Sequence, residues 1–368
     1  MNKVILPGRV IGIIGGGQLG RMMAIKAKEM GYKIAVLDPT PESPAAQIAD
    51  YSIVASYNDL KAIKQLAQVS DVITYEFENI DYEALTFLET NAYLPQKSHL
   101  LKISQHRYLE KKTIKELGIA VAPFALIHSQ KDLLEQITYP SVLKTTTGGY
   151  DGKGQIVLKS EEQLAKALDL INKHECILEG FVPFTKEISV IVTRSVNGEK
   201  SILPVAENIH QDNILHQSIV PARISVELEQ KAIEIGLEIA QKLDLVGTLA
   251  IEMFVCEEEI YVNELAPRPH NSGHFSMDAC LTGQFEQHIR AICGLPLGST
   301  KLEKEVLMVN ILGQHTEDLS KYLPLLSFSK LHLYGKAEAK KQRKMGHINI
   351  LTDLSTALEA VSKTGIWT

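Results

Sequence analysis

Several scarcities narrow what this chain does before any motif is read. Only four cysteines stand in 368 residues, Cys176, Cys256, Cys280 and Cys293, none in CxxC spacing and all among apolar neighbours. Disulfides and zinc are therefore not expected, and structural thiols in a reducing cytoplasm are. No apolar run reaches the roughly 18 residues of a membrane-spanning helix, and Met1 to Pro7 is too short and broken for a signal segment. Basic charge is not in excess either: 38 Lys and Arg face 44 Asp and Glu, a net charge of -6, with no long basic run. That balance disfavours nucleic acid as a main partner and leaves small molecules. A Walker loop, GxxxxGK[ST], is also missing.

At this length and 45% hydrophobic residues, two or three cores are expected, because single cores stop growing beyond roughly 250 to 300 residues. The first hundred residues alternate apolar strands (Val10 to Ile14, Ile34 to Leu37, Ile53 to Ala55, Val72 to Thr74) with helical segments (Gln18 to Met30, Asp59 to Ala67). This order predicts a parallel, Rossmann-like sheet. Gly15, Gly17 and Gly20 then fit GxGxxG after a strand, and Asp38 ends the next strand where a ribose-binding acid would stand. A dinucleotide-dependent oxidoreductase is the rival reading. It gives no reason for Lys144, for a second glycine loop or for the pair Glu252 and Glu264.

From Pro140 to Lys159 the chain reads strand, glycine loop, strand. Lys144 closes the first strand, and Gly148, Gly149, Gly152 and Gly154 let backbone N–H groups converge on phosphate oxygens. Further on, the alternation in Leu249 to Cys256 and Ile260 to Glu264 predicts a hairpin about Glu257 to Glu259 that pairs 256 with 260, 254 with 262 and Glu252 with Glu264. Two carboxylates facing each other across a ladder repel unless a cation bridges them, and hard oxygen ligands suit a nucleotide-bound Mg²⁺. The next residues crowd Arg268, His270, Asn271, Ser272 and His274 into seven positions, a density of donors that suggests an anion or polar-substrate site.

The order strand-Lys144, GGYDGKGQ, ILEGFV at 177 to 182, KEIS at 186 to 189, Glu252 and NELAPRPHNSGH at 263 to 274 resembles the ATP-grasp superfamily. Within it the chain is similar to the N5-carboxyaminoimidazole ribonucleotide synthases over essentially its whole length, including GGGQLGRM at 15 to 22 and RKMGH at 343 to 347. The resemblance implies a mixed α/β and α+β architecture: a Rossmann-like pre-ATP-grasp domain (1–100), an ATP-grasp domain (101–295) and a small β-rich C-terminal domain (296–368). It implies ATP and Mg²⁺, with bicarbonate and 5-aminoimidazole ribonucleotide as substrates, in a cytoplasmic homodimer.

Residue by residue, the resemblance puts Arg107, Lys144, Gly149, Tyr150, Asp151, Gly152, Lys153, Gly154 and Gln155 around the nucleotide phosphates. Glu179, Gly180, Phe181 and Val182 form the strap along the adenine, Glu187 takes the ribose, and His210 lies on a nucleotide-site position. Glu252 and Glu264 hold the metal, with Asn263 beside them. Many relatives place an asparagine two residues after the second glutamate, where this chain has Ala266, so water or Asn263 is expected to complete the shell. A regular pairing would, however, turn Asn263 to the opposite strand face. Arg268, just past the metal site, is suited to bicarbonate and carboxyphosphate, and Asp151 to orienting bicarbonate or taking a proton. Gln18, Glu76, Asn271 and Ser272 are expected on the substrate, with Lys336, Arg343 and Lys344 closing over its phosphate. A formate-using glycinamide ribonucleotide transformylase resembles this chain too, with PRPHDTG where this one has PRPHNSG. A nucleotide-binding module without turnover is the alternative from another class.

Overall fold

The computed structural model describes residues 3–149 and 154–367. Tyr150, Asp151, Gly152 and Lys153, four of the expected phosphate-loop residues, lie outside the described residues.

Three sheets organise the chain. The first is parallel, β1 (Val10–Ile14), β2 (Lys33–Asp38), β3 (Tyr51–Val54) and β4 (Val72–Tyr75) in the order β3-β2-β1-β4. Strands β1, β2 and β4 are apolar and nearly all buried, as a sheet covered on both faces requires, whereas the edge strand β3 buries only Ile53. Helices α1 (Gln18–Glu29), α2 (Leu60–Val69) and α3 (Tyr82–Asn91) cover it. Asp59 and Asp81 begin α2 and α3 by accepting hydrogen bonds from first-turn amides.

Helix α1 has no such cap at Gly17. Instead, the Glu76 carboxylate reaches in from the end of β4 and accepts hydrogen bonds from Gly17 N and, at 2.6 Å, from Gly20 N. Asp38 accepts from Gly16 N (2.7 Å), Thr40 N (2.8 Å) and the Tyr57 hydroxyl (2.6 Å). The anion place at this helix N-terminus is thus filled by the protein's own acid, and the would-be ribose acid is spent on its own turn. The dinucleotide reading fails on those contacts. Burial lifts Glu76 above the ordinary carboxyl range even though the two amides favour its charge.

After α4 (His99–Ser104) and α5 (Arg107–Glu116), the second sheet is antiparallel: β5 (Phe124–Ile127), β6 (Ser141–Thr145), β7 (Gln155–Leu158) and β8 (Cys176–Gly180), ordered β5-β8-β6-β7. His106, in an extended conformation, separates the two helices and caps α5 by accepting from Leu109 N. Helices α6 (Gln130–Gln136) and α7 (Leu164–Ile171) bury Leu133, Ala167 and Ile171 beneath this sheet.

The third sheet has nine strands: β9 (Lys186–Arg194), β10 (Lys200–Ile202), β11 (Ala206–Gln211), β12 (Ile214–Val220), β13 (Gly247–Cys256), β14 (Glu259–Ala266), β15 (Val306–Leu312), β16 (Ser329–Leu333) and β17 (Lys344–Ile350). Its main path runs β14-β13-β9-β11-β12-β15-β17-β16, with β10 on β9. The boundary expected near 296 does not interrupt it, since Val220 pairs with Val306 and Gln217 with Val309. Helix α8 (Val226–Lys242) packs Ala232, Ile239 and Ala240 on β9 and β13. After the short α9 (Ser276–Ala279), α10 (Gln284–Cys293) joins the first sheet's core by packing Phe285, Ile289 and Ile292 with Leu19, Met22 and Met23 of α1. Helix α11 (Leu354–Thr364) covers β15 and β17 with Ala357 and Val361.

All four cysteines are free, Cys176 and Cys293 buried, Cys256 and Cys280 half-buried. Among the described residues no helix is long and apolar enough to cross a membrane.

A Cβ at Gly20 would stand 2.6 Å from the Gly15 carbonyl oxygen, a backbone atom that cannot swing aside. Gly20→Ala is expected to lower the urea midpoint of unfolding, with a cost of ~1–3 kcal/mol.

Candidate active site

A cleft of about 670 Å³ opens between the two antiparallel sheets and receives the end of the first one. Of the expected residues, Arg107, Lys144, Gly149, Gln155, Glu179, Gly180, Phe181, Val182, Glu187, His210, Glu252, Asn263, Glu264, Arg268, Asn271 and Lys344 line it.

The carboxylate pair is where alternation puts it, by a different route. Glu252 does face Glu264, but the tip is tighter than expected: Cys256 pairs with Glu259, Val255 with Ile260 and Met253 with Val262. A bulge between Glu252 and Met253 then absorbs Asn263 and brings the carboxylates back into register. The same irregularity lets Asn263 line the cleft, correcting the expectation that it faces away. Burial and the nearby charge of Glu264 push the Glu252 carboxyl up to about 8. Among the described residues no group of three or more His, Cys, Asp or Glu is arranged to hold a metal by itself. Two strained carboxylates with room beside them fit a divalent cation whose remaining ligands come with a nucleotide.

Toward the glycine loop, Arg107 is neither an exposed helix residue nor a free cation. Its guanidinium donates to the carbonyls of Thr145 (2.8 Å), Gly148 (2.5 Å) and Gly149 (2.8 Å), so it fixes the start of the loop. Lys144 Nζ lies 3.0 Å from Glu179 Oε2, and the buried Lys111 lies 3.5 Å from the same oxygen. Burial opposes the Glu179 charge, but the two lysines outweigh it and hold the carboxyl below its ordinary range. The Glu179 side chain is therefore an anchor for lysines. Gly154 does not line the cleft; at φ +72° its Cα packs where a Cβ would meet Thr145 Oγ1 at 2.9 Å.

The exposed Phe181 and Phe184 flank the strap, and Phe184 stacks on Phe254 (centroids 4.5 Å apart, planes 6° apart). This gives the strap end a flat aromatic floor. Beyond it, His210 Nδ1 lies 3.2 Å from Glu187 Oε1. Burial works against the charged imidazole, yet the Glu187 carboxylate raises it above the ordinary histidine value.

On the far side, Arg268 ion-pairs with Glu78 (2.7 Å) and keeps a buried, unpartnered Nε. Asn271 is buried with both amide atoms unpartnered. Such orphaned polar groups cost stability unless a ligand or water satisfies them. His270, which the motif contained but no role was assigned to, lines the cleft with Nε2 3.5 Å from Glu252 Oε1. Burial, with Arg268 and Lys344 nearby, holds it well below the ordinary histidine value.

The other expected substrate residues do not line this cleft. Ser272 is fully buried, and its hydroxyl is spent on Ser189 and His270, which removes it from direct contact with a ligand. Gln18 and Glu76 sit at the start of α1, close enough for Arg268 and Lys336 to act electrostatically with Glu76. Arg343 is exposed and donates to the Glu338 carbonyl (3.2 Å). Lys336 donates to the Lys344 carbonyl (2.7 Å), and burial pushes its ammonium down to about 8. Sequence reasoning missed Glu78, Lys111 and the buried Glu110 altogether; each is a partner supplied by a segment remote in sequence.

A Rossmann-like sheet, a small antiparallel sheet carrying a glycine loop, and a larger sheet presenting paired carboxylates define an ATP-grasp ligase. The sequence matches an ATP-grasp domain over residues 112–285, preceded by a ribonucleotide synthetase preATP-grasp domain over 9–105 and followed by a phosphoribosylaminoimidazole carboxylase C-terminal domain over 306–361. The N5-carboxyaminoimidazole ribonucleotide synthase of Bacillus subtilis (strain 168) is 56% identical over 354 residues, 95% of this chain and 93% of that one. A crystal structure of an N5-carboxyaminoimidazole ribonucleotide synthetase in complex with ADP superposes with a TM-score of 0.98 at 62% identity, covering 100% of this chain and 99% of that one. The Aspergillus clavatus N5-carboxyaminoimidazole synthase, solved with ADP and 5-aminoimidazole ribonucleotide, gives 0.91 at 30% identity, covering 98% of both chains. The chain belongs to the N5-carboxyaminoimidazole ribonucleotide synthase family.

Because the Glu252 carboxyl titrates above its ordinary value, its protonation stabilises the folded protein without ligand. That contribution is fully present below the ordinary carboxyl range and is lost as pH rises through about 8. Glu252→Gln is expected to raise the melting temperature of the ligand-free protein at pH 8.5 by roughly 3 °C. At pH 5 thermal scans are expected to show little difference.

Proposed function

We propose that this ATP-grasp ligase carboxylates 5-aminoimidazole ribonucleotide in purine biosynthesis, using bicarbonate activated as carboxyphosphate. The observation that carries the proposal is one cleft in which the Glu252/Glu264 pair stands beside Arg268, His270 and the unsatisfied amide of Asn271. The nucleotide end is supplied by the strap and the glycine loop, and the anion end by the residues after β14.

Bicarbonate is a poor electrophile because its carbonyl is electron-rich and hydroxide leaves badly. In the first step a bicarbonate oxygen attacks the γ-phosphorus of ATP, the bond to the β-phosphate oxygen breaks, and carboxyphosphate and ADP result. In the second, the exocyclic amine attacks the carboxyphosphate carbon, phosphate leaves, and the amine gives up a proton. Whether carbon dioxide is released before that attack does not change the balance.

Glu252 and Glu264, with Asn263 near, would hold Mg²⁺, which when bound would neutralise charge on the phosphate oxygens. Lys144, freed from Glu179 or sharing it, faces the same phosphates, and Arg107 keeps the loop carbonyls turned away from them. Gln155 lines the phosphate end, and the loop residues Tyr150 to Lys153 are assigned to closing over it, with Asp151 orienting bicarbonate. Phe181, Val182 and Phe184 receive the adenine; Glu187 and His210 receive the ribose. Arg268 holds bicarbonate and carboxyphosphate, its charge tempered by Glu78. Asn271 addresses the aminoimidazole. Lys336, Arg343 and Lys344 take the 5′-phosphate, and Gln18 and Glu76 border the phosphoribosyl group. The same reading makes the enzyme a cytoplasmic homodimer.

Arg107→Ala, which releases three loop carbonyls, is expected to raise KM for ATP about tenfold, the equivalent of roughly one net hydrogen bond to a charged group. Steady-state kinetics at saturating bicarbonate measures this.

The function is tested by ADP release with Mg²⁺-ATP and labelled bicarbonate, with and without 5-aminoimidazole ribonucleotide, beside a formate plus glycinamide ribonucleotide control. Stimulation by the aminoimidazole compound, with label in an acid-labile product, is expected. Glu264→Gln is expected to abolish it while nucleotide still binds. Stimulation by the formate pair alone would transfer the chain to the sister activity.

A further inference from the structure

His270 stands in the cleft, and its ring is held by atoms that decide where its proton sits. Nδ1 receives the Ser272 hydroxyl at 2.9 Å and the Ser272 backbone N–H at 3.3 Å. An amide N–H can only donate, so Nδ1 presents its lone pair. The Ser272 oxygen in turn accepts the Ser189 hydroxyl at 2.8 Å. Both serines are fully buried, so water does not compete for these bonds. With Nδ1 an acceptor, the ring proton of the neutral imidazole is on Nε2, the atom 3.5 Å from Glu252 Oε1.

The backbone of the same residue is clamped as firmly. The buried Gln284 side chain accepts from His270 N (2.8 Å) and donates to His270 O (2.8 Å), pairing with it as a neighbouring strand would. Gly273 has no room for a Cβ, which would lie 2.5 Å from both Gln284 Oε1 and Ile191 Cδ1. Such a set fixes ring position and tautomer together, as supporting groups do around a reacting histidine.

We propose that Ser189 and Ser272 form a two-hydroxyl chain that locks His270 as the Nε2–H tautomer, pointing a neutral N–H donor at the carboxylate and bicarbonate end of the cleft. Ser189, Ser272 and Gln284 are then positioning residues of the carboxylation. The inference rests on the function proposed above for its kinetic consequence, but the tautomer stands without it.

The test is ¹⁵N NMR of the ligand-free enzyme with labelled histidine, the His270 signals being those absent from His270→Gln. The expected result is a lone-pair Nδ1 and a protonated Nε2. Ser272→Ala leaves only the longer backbone N–H (3.3 Å) on Nδ1, and is expected to shift part of the population to the Nδ1–H tautomer, to lower kcat about tenfold and to change KM for ATP less than twofold. Ser189→Ala, which keeps the hydroxyl on Nδ1 but removes its donor, is expected to lower kcat about threefold. A proton on Nδ1 in the unmutated enzyme overturns the proposal, and that measurement needs no variant to fold. So does an unchanged tautomer in a folded Ser272→Ala, or a changed tautomer with unchanged kcat. An enzyme that shows the expected tautomer but no bicarbonate-dependent turnover sinks the proposed function and leaves the hydroxyl chain in place.

Discussion

Two carboxylates held together against their own repulsion govern the rest of this molecule. Glu252 and Glu264 oppose each other on β13 and β14, and the cost is visible in how strongly Glu252 favours its proton. A fold keeps such a pair only where the surrounding ladder gives neither side chain another place to go. The bulge beside Glu252 is part of that constraint, since without an extra residue the tight tip would set Asn263, not Glu264, against Glu252. His210 and Lys344 counter some of the negative charge from neighbouring strands.

Other charges in the cleft are already matched before any ligand arrives. Lys144 and Lys111 share Glu179, Arg268 has Glu78, and Arg107 is satisfied by three loop carbonyls. Each pairing keeps a partly buried cation from standing alone, which would be far more costly than the pair. It also means that an anion entering the cleft would compete with an internal partner for Lys144 and Arg268. Specificity follows from that competition: an anion must offer better geometry than a single carboxylate oxygen does. Bidentate oxyanions meet this requirement at a guanidinium better than halides can.

Much of this was legible in the chain. Period-two alternation on either side of Glu257 located the hairpin and its facing carboxylates, and strand–helix alternation located the parallel sheet. The glycines after Lys144 marked a loop, whose Gly148 and Gly149 carbonyls Arg107 holds. What could not be read were the partners. Glu78 meets Arg268, Lys111 meets Glu179, and Glu76 meets the glycine turn across sequence separations that no local pattern encodes. The GxGxxG turn misleads for the same reason: its spacing reports a strand entering a helix, and only tertiary structure shows that an internal acid occupies it. The bulge escaped because alternation reports facing and not length, so an extra residue that restores the register leaves no trace in it. Ser272 sits in a motif rich in ligand-type residues, yet is turned inward to hold its neighbour.

The ladder between β12 and β15 joins the nucleotide-side strands to the C-terminal strands without a gap. In mechanical terms, the β13–β14 carboxylate hairpin and Lys344 on β17 are mounted on one plate, and flexing that plate at the β12–β15 seam would sever ladder bonds. The four-stranded antiparallel sheet that carries the glycine loop is a separate plate, with no ladder to the first among the described residues. Any movement of one plate against the other would therefore leave the distance between the Glu252/Glu264 pair and Lys344 unchanged, because the ladder of a single sheet sets it.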